Sequence, residues 1–298
     1  MDALLKGLGF KSGERLAILH VDDIGMCKAT LDAFSELWHR GAVSSGSVMT
    51  PCPWFPAVAD WYAQHSDADL GVHITLTSEW PGYRWGPVVA TAKSDNLVDF
   101  SGRYFHATTG AVCQHALVDA VNREMQGQIA LAQCFGLQPS HIDNHMYTCF
   151  QPQFLAGYLE LSISNSIPVL VTREVLNQLD SNLAKSLEQR LDDEGIPLFE
   201  CIAIVKPCSS IEEYNAELKS IFANLPFGLT CILLHPAIDS GELRNIVTNW
   251  RYRVIEYQAL LKNNILSYAA DAGVKIVNYK HLKSPTTVWH AAVSGSES

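Results

Sequence analysis

Residues 15–25 read RLAILHVDDIG, and the pattern around them decides the fold. The run 15–21 is short and largely apolar, as a buried strand is. From Lys28 to Arg40 the apolar residues return at helical spacing, and Gly41 follows as a helix stop. This strand-then-helix unit recurs. Further strands are expected over 43–49, 70–76, 140–144, 168–171, within 196–205, over 228–234 and over 274–278. Helices are expected over 53–64, 112–135, 153–165, 174–191, 211–224 and 254–272. Seven or eight such units in order predict a parallel sheet. In one chain of 298 residues the expected architecture is α/β, a closed or deformed TIM-barrel-like (β/α) barrel forming a single domain over 1–298. An open doubly wound sheet is the alternative.

The periodicity fails between Thr77 and Gly110. Trp80, Tyr83, Arg84, Trp85 and Tyr104 fall there among several glycines. So long a segment is either a functional loop or lid, or a surface insertion packed by its own aromatics. The tail 294–298 is expected to be flexible.

Composition narrows the function. Hydrophobic residues make up 48% of the chain and the formal net charge is −10. That is a folded composition, and an acidic surface repels phosphate backbones, so no nucleic-acid partner is expected. The first fifteen residues hold no long apolar run, and no stretch approaches a membrane span, so neither a signal peptide nor a membrane partner is expected. The eight cysteines are scattered without a C-x-x-C pair, which fits a reduced, cytoplasmic protein without a zinc finger. No GxGxxG or Walker loop supports a nucleotide cofactor.

In parallel α/β folds, sites form at the C-terminal ends of strands. Four strand ends carry polar residues of the same kinds. In His20-Val21-Asp22-Asp23, strand alternation points His20 and Asp22 the same way, with Asp23 at the turn. Paired carboxylates can divide labour between holding a cation and accepting a proton, although aspartates also cap helices. His73 sits inside an apolar strand and needs partners for both ring nitrogens, from a metal or from the core. His141, Asp143 and His145, if extended, project from one face. His235 ends the apolar run 228–234, and Pro236 closes it. One carboxylate and two histidines from different strands would bind a divalent ion and leave positions open for water and substrate, the pattern of a catalytic metal site.

In this order, HVDDIG (20–25), GVHITLT (71–77), HIDNH (141–145) and LLHPA (233–237) resemble the YdjC-like carbohydrate deacetylases, which include the chitooligosaccharide deacetylases. The resemblance implies a deformed (β/α) barrel with one divalent metal ion, Mg2+ or Zn2+, and a small carbohydrate as substrate. It implies Asp23, His73 and His145 as metal ligands, Asp22 as catalytic base and His235 as acid. A homodimer is expected from family habit. Ile24 stands where the family often has Phe, and Asn144, Met146 and Tyr147 replace neighbours that face the substrate.

On this reading His141 and Asp143 orient ligand rings, His20 lies close behind, Arg173 holds Asp22 charged and Trp85 is a substrate candidate. Three other readings stay open. A glycoside hydrolase would use Asp22 and Asp143 without metal. Another metal-dependent amidase or esterase would act on a non-sugar substrate. A non-catalytic barrel would bind carbohydrate through Trp80, Tyr83 and Trp85.

Overall fold

The computed structural model describes residues 3–283; the tail 294–298 lies outside them. Seven strands form one sheet: β1 (Arg15–Ile24), β2 (Ser45–Val48), β3 (Leu70–Ile74), β4 (Ile142–Asn144), β5 (Cys201–Ile204), β6 (Gly228–Leu234) and β7 (Val274–Ile276). Their order is β4-β3-β2-β1-β6-β5, with β7 beside β1, and every pairing is parallel. Helices connect the strands, and the sheet curls. Between the edge strands β4 and β5 runs the segment 169–172. It forms single bridges from Val169 to Ile142 and from Thr172 to Phe199. The expected deformed (β/α) barrel is therefore present, with a seam where a full ladder is missing.

The expected strand at 168–171 is that seam. Tyr158 Oη donates to the carbonyl of Leu170 within it, and Ser162 Oγ to that of Ile167 just before it, so side chains satisfy part of the polar backbone there. Three expected helices are each broken in two. The first runs Thr109–His115 and Val118–Cys134, because Ala116 and Leu117 are extended and the Leu117 N–H donates to Asp95 O. The second runs Arg173–Leu176 and Ser181–Asp193, where Asp180 caps a new start. The third runs Trp250–Lys262 and Ile265–Asp271, where Asn264 caps the second piece. In the last two, a short polar side chain competes for backbone N–H groups, as caps do. Residues 77–108 contain no strand or α-helix, only the 3-10 turn Lys93–Asp95 and a bridge from Val98 to Phe105.

Two local features position the site. β1 pairs with β2 as Val21↔Gly46 and then Ile24↔Val48, so β1 carries one extra residue, a bulge. Within it Asp23 has φ 61, a left-handed conformation that costs an L-residue about 1–3 kcal/mol. Regular alternation would send Asp22 and Asp23 to opposite faces; the bulge lets both line one cavity. On β3, a Cβ at Gly71 would meet the His141 ring at 2.5 Å and its carbonyl oxygen at 2.6 Å. Only glycine admits this approach of β3 to the chain entering β4, which brings His73 into register with Asp143.

Candidate active site

A cavity of about 440 Å3 opens at the C-terminal ends of the strands. Asp22, Asp23, His73, His145 and His235 all line it, from β1, β3, the turn after β4 and the end of β6. A larger cavity of about 730 Å3, between residues 189–196 and Leu282, is lined by no histidine or cysteine. Chemistry, not size, marks the site.

Asp23 is the hub. Its Oδ1 lies 3.1 Å from His145 Nδ1 and 3.5 Å from His73 Nε2. Its Oδ2 accepts a 2.7 Å hydrogen bond from Arg253 Nη2. The far nitrogen of each ring has its own carboxylate. His73 Nδ1 donates to Asp143 Oδ2 at 2.9 Å, and His145 Nε2 donates to Glu79 Oε1 at 3.0 Å. These bonds turn the lone pairs of His73 Nε2 and His145 Nδ1 toward Asp23 Oδ1, which itself receives no hydrogen bond. Three buried donor atoms facing one another call for a cation or for protons between them. Asp23, His73 and His145 form a group able to hold a metal ion, and the N,N,O donor set suits one.

The electrostatics agree. Burial would raise the Asp23 carboxyl, but Arg253 and the two imidazoles outweigh it and hold it well below the usual range. Burial would lower His145, yet Glu79 and Asp23 push it up to about 9. His73 is likewise raised well above its ordinary value, because Asp143 and Asp22 outweigh burial. An ion would take the place of these protons.

Asp22 lies beside this group. Its Oδ2 is 3.5 Å from His235 Nε2 and its Oδ1 is 3.2 Å from His20 Nε2. The His235 backbone N–H donates to Glu256 Oε2 at 2.5 Å, which fixes the strand end before Pro236. Burial lowers His235; Asp22 and Asp23 oppose this, and Arg253 and His73 add to it.

Behind the cavity wall, His20 Nε2 sits 3.0 Å from Asp143 Oδ2, and Ser47 Oγ donates to that oxygen at 2.9 Å. Burial opposes a charge on His20, but Asp143 and Asp22 prevail and raise it to about 9. Asp143 thus touches a candidate ligand ring, and His20 links it to Asp22. His141 touches neither ligand ring: it lies 3.6 Å from Asp69 and stacks on Tyr279 at 3.7 Å. The expected trio 141, 143, 145 separates because β4 ends at Asn144. Met146 and Tyr147 then take left-handed conformations, while Asn144 Oδ1 accepts from Cys149 N–H at 3.0 Å.

Two expectations are corrected. Arg173 does not reach Asp22; it pairs with Glu188 at the surface, because the chain leaves the seam there as a new helix turn. Trp85 is buried in the 77–108 segment with its indole N–H on Thr77 O at 2.7 Å, and Trp80 lines the cavity instead. Sequence reasoning missed Arg253, Glu79 and Glu256. Arg253 and Glu256 are spaced i, i+3 on the face of their helix that also buries Leu260, a signal for a buried charged pair.

A family model described as "YdjC-like protein" matches residues 16–271. The chain belongs to this family. Among curated family relatives, the carbohydrate deacetylase of Thermus thermophilus is 31% identical over 259 residues, 86% of this chain and 90% of that protein. The carbohydrate deacetylase of Thermoanaerobacter pseudethanolicus is 25% identical, with 89% of this chain and 98% of that protein covered. The chitooligosaccharide deacetylase of Yersinia enterocolitica is 26% identical over 55% of this chain and 62% of its own length. Among solved structures, a protein from Enterococcus faecalis V583, provisionally named for cellobiose-phosphate cleavage, superposes with a TM-score of 0.75 at 20% identity. That match covers 91% of this chain and 99% of the other, and it shows the shared fold.

Proposed function

We propose that this chain is a metal-dependent carbohydrate deacetylase that hydrolyses the acetamide of an N-acetylated sugar. One observation carries the reading: a three-donor group, Asp23, His73 and His145, shares a cavity with a carboxylate–imidazole pair, Asp22 and His235. Relatives named carbohydrate deacetylase support the substrate class.

Asp23, His73 and His145 would hold one divalent ion, which when bound polarises the acetamide carbonyl and acidifies water. Two imidazoles favour zinc or another transition ion, with magnesium the alternative. The chain's own residues handle the protons. Asp22 accepts a proton as water adds to the carbonyl carbon. His235, facing Asp22 across 3.5 Å, delivers a proton to the sugar nitrogen, so that a neutral amine leaves and acetate remains. Arg253 keeps Asp23 ionised, and His20 lies between Asp22 and Asp143 as a charged spacer. A metal-free glycosidase fits less well, because Asp143 is committed to His20, His73 and Ser47 and is absent from the cavity lining.

All eight cysteines are free, which suits a reducing compartment such as the cytoplasm. No helix among the described residues is long and apolar enough to cross a membrane. The deciding experiment measures acetate release from N-acetylglucosamine and its oligomers before and after chelation. Release that stops on chelation and returns with added metal is expected. Release that persists after exhaustive chelation would overturn the reading.

A further inference from the structure

Two histidines face each other at the foot of the barrel, at the opposite end from the catalytic cavity. His39 is the last residue of the helix Lys28–His39, and His65 caps the C-terminal end of the helix Phe55–Gln64. From there the chain enters β2 at Ser45 and β3 at Leu70, whereas the catalytic residues stand where the strands end. His39 Nε2 and His65 Nε2 are 3.2 Å apart. We propose that this pair is a second metal site, which takes a divalent transition ion such as zinc and clips the two helices together. The site is independent of the deacetylase reading.

Hydrogen bonding decides which ring atoms are available. His39 Nδ1 donates to Ser35 O at 2.6 Å, and His65 Nδ1 donates to Trp61 O at 2.8 Å. A carbonyl oxygen only accepts, so both rings carry a proton on Nδ1. In neutral rings each Nε2 is then a lone pair, and two lone pairs 3.2 Å apart call for a proton or a metal ion between them. The geometry favours the ion. Two imidazoles on one tetrahedral zinc, each at roughly 2.0–2.1 Å, bring their nitrogens to about 3.3 Å from each other. The ring centroids are 4.9 Å apart. A straight N–H···N bond would add a ring radius on each side of the 3.2 Å gap and hold the centroids farther apart, so the lone pairs are not aimed along one line.

The pair is held in place before any ion arrives. Trp61 stacks on His65 at 4.4 Å with planes 15° apart. Its indole N–H donates to Ser35 Oγ at 2.9 Å, which joins the helix leading to His65 with the helix that carries His39. Both histidines sit at helix C-termini, where the backbone carbonyls favour positive charge. The neighbouring Arg40 faces Glu36 at 3.8 Å, which offsets its charge. His39 is exposed and His65 half-buried, so an ion reaches them from solvent. Among the described residues no carboxylate or thiol joins the pair in a group of three, so water completes the coordination. Imidazole donors suit zinc, copper or nickel rather than magnesium or calcium.

The test is equilibrium dialysis of the full chain against zinc chloride, comparing the wild type with His39→Gln and His65→Gln. Each variant should lose one zinc ion per chain relative to the wild type and keep its rate of acetate release. The catalytic cavity is the same in all three proteins, so the difference isolates the pair whatever the cavity binds. Variants that bind as much zinc as the wild type would overturn the site. A second measurement needs no substitution. Zinc should slow the reaction of diethyl pyrocarbonate with His39 and His65 in the wild type, because the reagent attacks through the Nε2 lone pair. Equal rates with and without zinc at both residues would mean that the pair shares only a proton, and the metal site would be lost.

Discussion

Arg253 donates to Asp23 Oδ2 at 2.7 Å and so leaves Oδ1, the oxygen without a hydrogen bond, facing His73 and His145. The arginine comes from the helix Trp250–Lys262, far along the chain from the bulge that exposes Asp23. The pair therefore ties the last third of the chain to the first strand at the point where a cation would bind. Both partners are buried, so the charges depend on each other.

Removing that arginine should cost more than its bond. Arg253→Met leaves the buried Asp23 carboxylate without its counter-charge, and breaking such a pair costs about 3–5 kcal/mol. The expected result is a large fall in the urea midpoint of the metal-free protein, partly recovered when zinc is added, since a bound ion would neutralise Asp23 instead. A midpoint unchanged by the substitution would show that Arg253 is not what keeps the carboxylate charged.

Asp22 lines the cavity beside Asp23, His73 and His145, and belongs to a second three-donor group with His73 and Asp143. Asp22→Asn should lower kcat by about 10²–10⁴-fold while metal content per chain stays at the wild-type level. Near-normal turnover in this variant would remove Asp22 from the role of base. Loss of metal together with activity would instead make it a ligand.

The strand ends were legible in the sequence because the apolar runs of β1 and β6 give way to Asp22 and His235, and His73 is the one polar side chain inside apolar β3, so each stands out. What was not legible depends on deviations from regular geometry. The extra residue in β1 rotates Asp23 toward the cavity, and alternation has no means of announcing it. Arg173 was misplaced because 169–172 forms only single bridges, so distance from a strand end no longer predicts direction. Arg253 was overlooked because it lies in a helix with Arg251 nearby, where a charged residue usually means solvent.

Glu124 gives a prediction away from the site. It is buried, and its two oxygens accept from the Val88 and Val89 N–H groups at 3.0 and 3.1 Å, fastening the 77–108 segment to the helix Val118–Cys134. Burial pushes its carboxyl up to about 7, against the hydrogen bonds from Gln128, Val88 and Val89, which lower it. A folded-state value above the ordinary 4.5 means that the folded state binds the proton more tightly. Its stabilising share is complete below about 4.5 and is lost as pH rises through about 7. Glu124→Gln cannot titrate. Urea unfolding between pH 4.5 and 7.5 should therefore show wild-type stability falling relative to the variant, by up to ~3 kcal/mol. A constant difference across that range would show that Glu124 titrates normally.

Glu79 and Asp143 perform the same task on different rings, and their surroundings predict different consequences. Each accepts from the nitrogen that faces away from Asp23, which fixes the tautomer of a candidate ligand. Glu79 has this one partner, and its other oxygen receives no hydrogen bond. Glu79→Ala should therefore weaken metal binding about 10–100-fold with little loss of stability. Glu79→Gln, whose amide oxygen can still accept from His145 Nε2, should weaken it less. Asp143 Oδ2 is shared by His73, His20 and Ser47 in the interior, so Asp143→Ala should lower stability as well as metal affinity. Calorimetric zinc titration beside thermal unfolding of the three variants separates the effects. If Glu79→Ala bound zinc as tightly as the wild type, His145 would be held in place by other contacts. Glu79 would then be free to serve the substrate through its unbonded oxygen, since the residue lines the cavity.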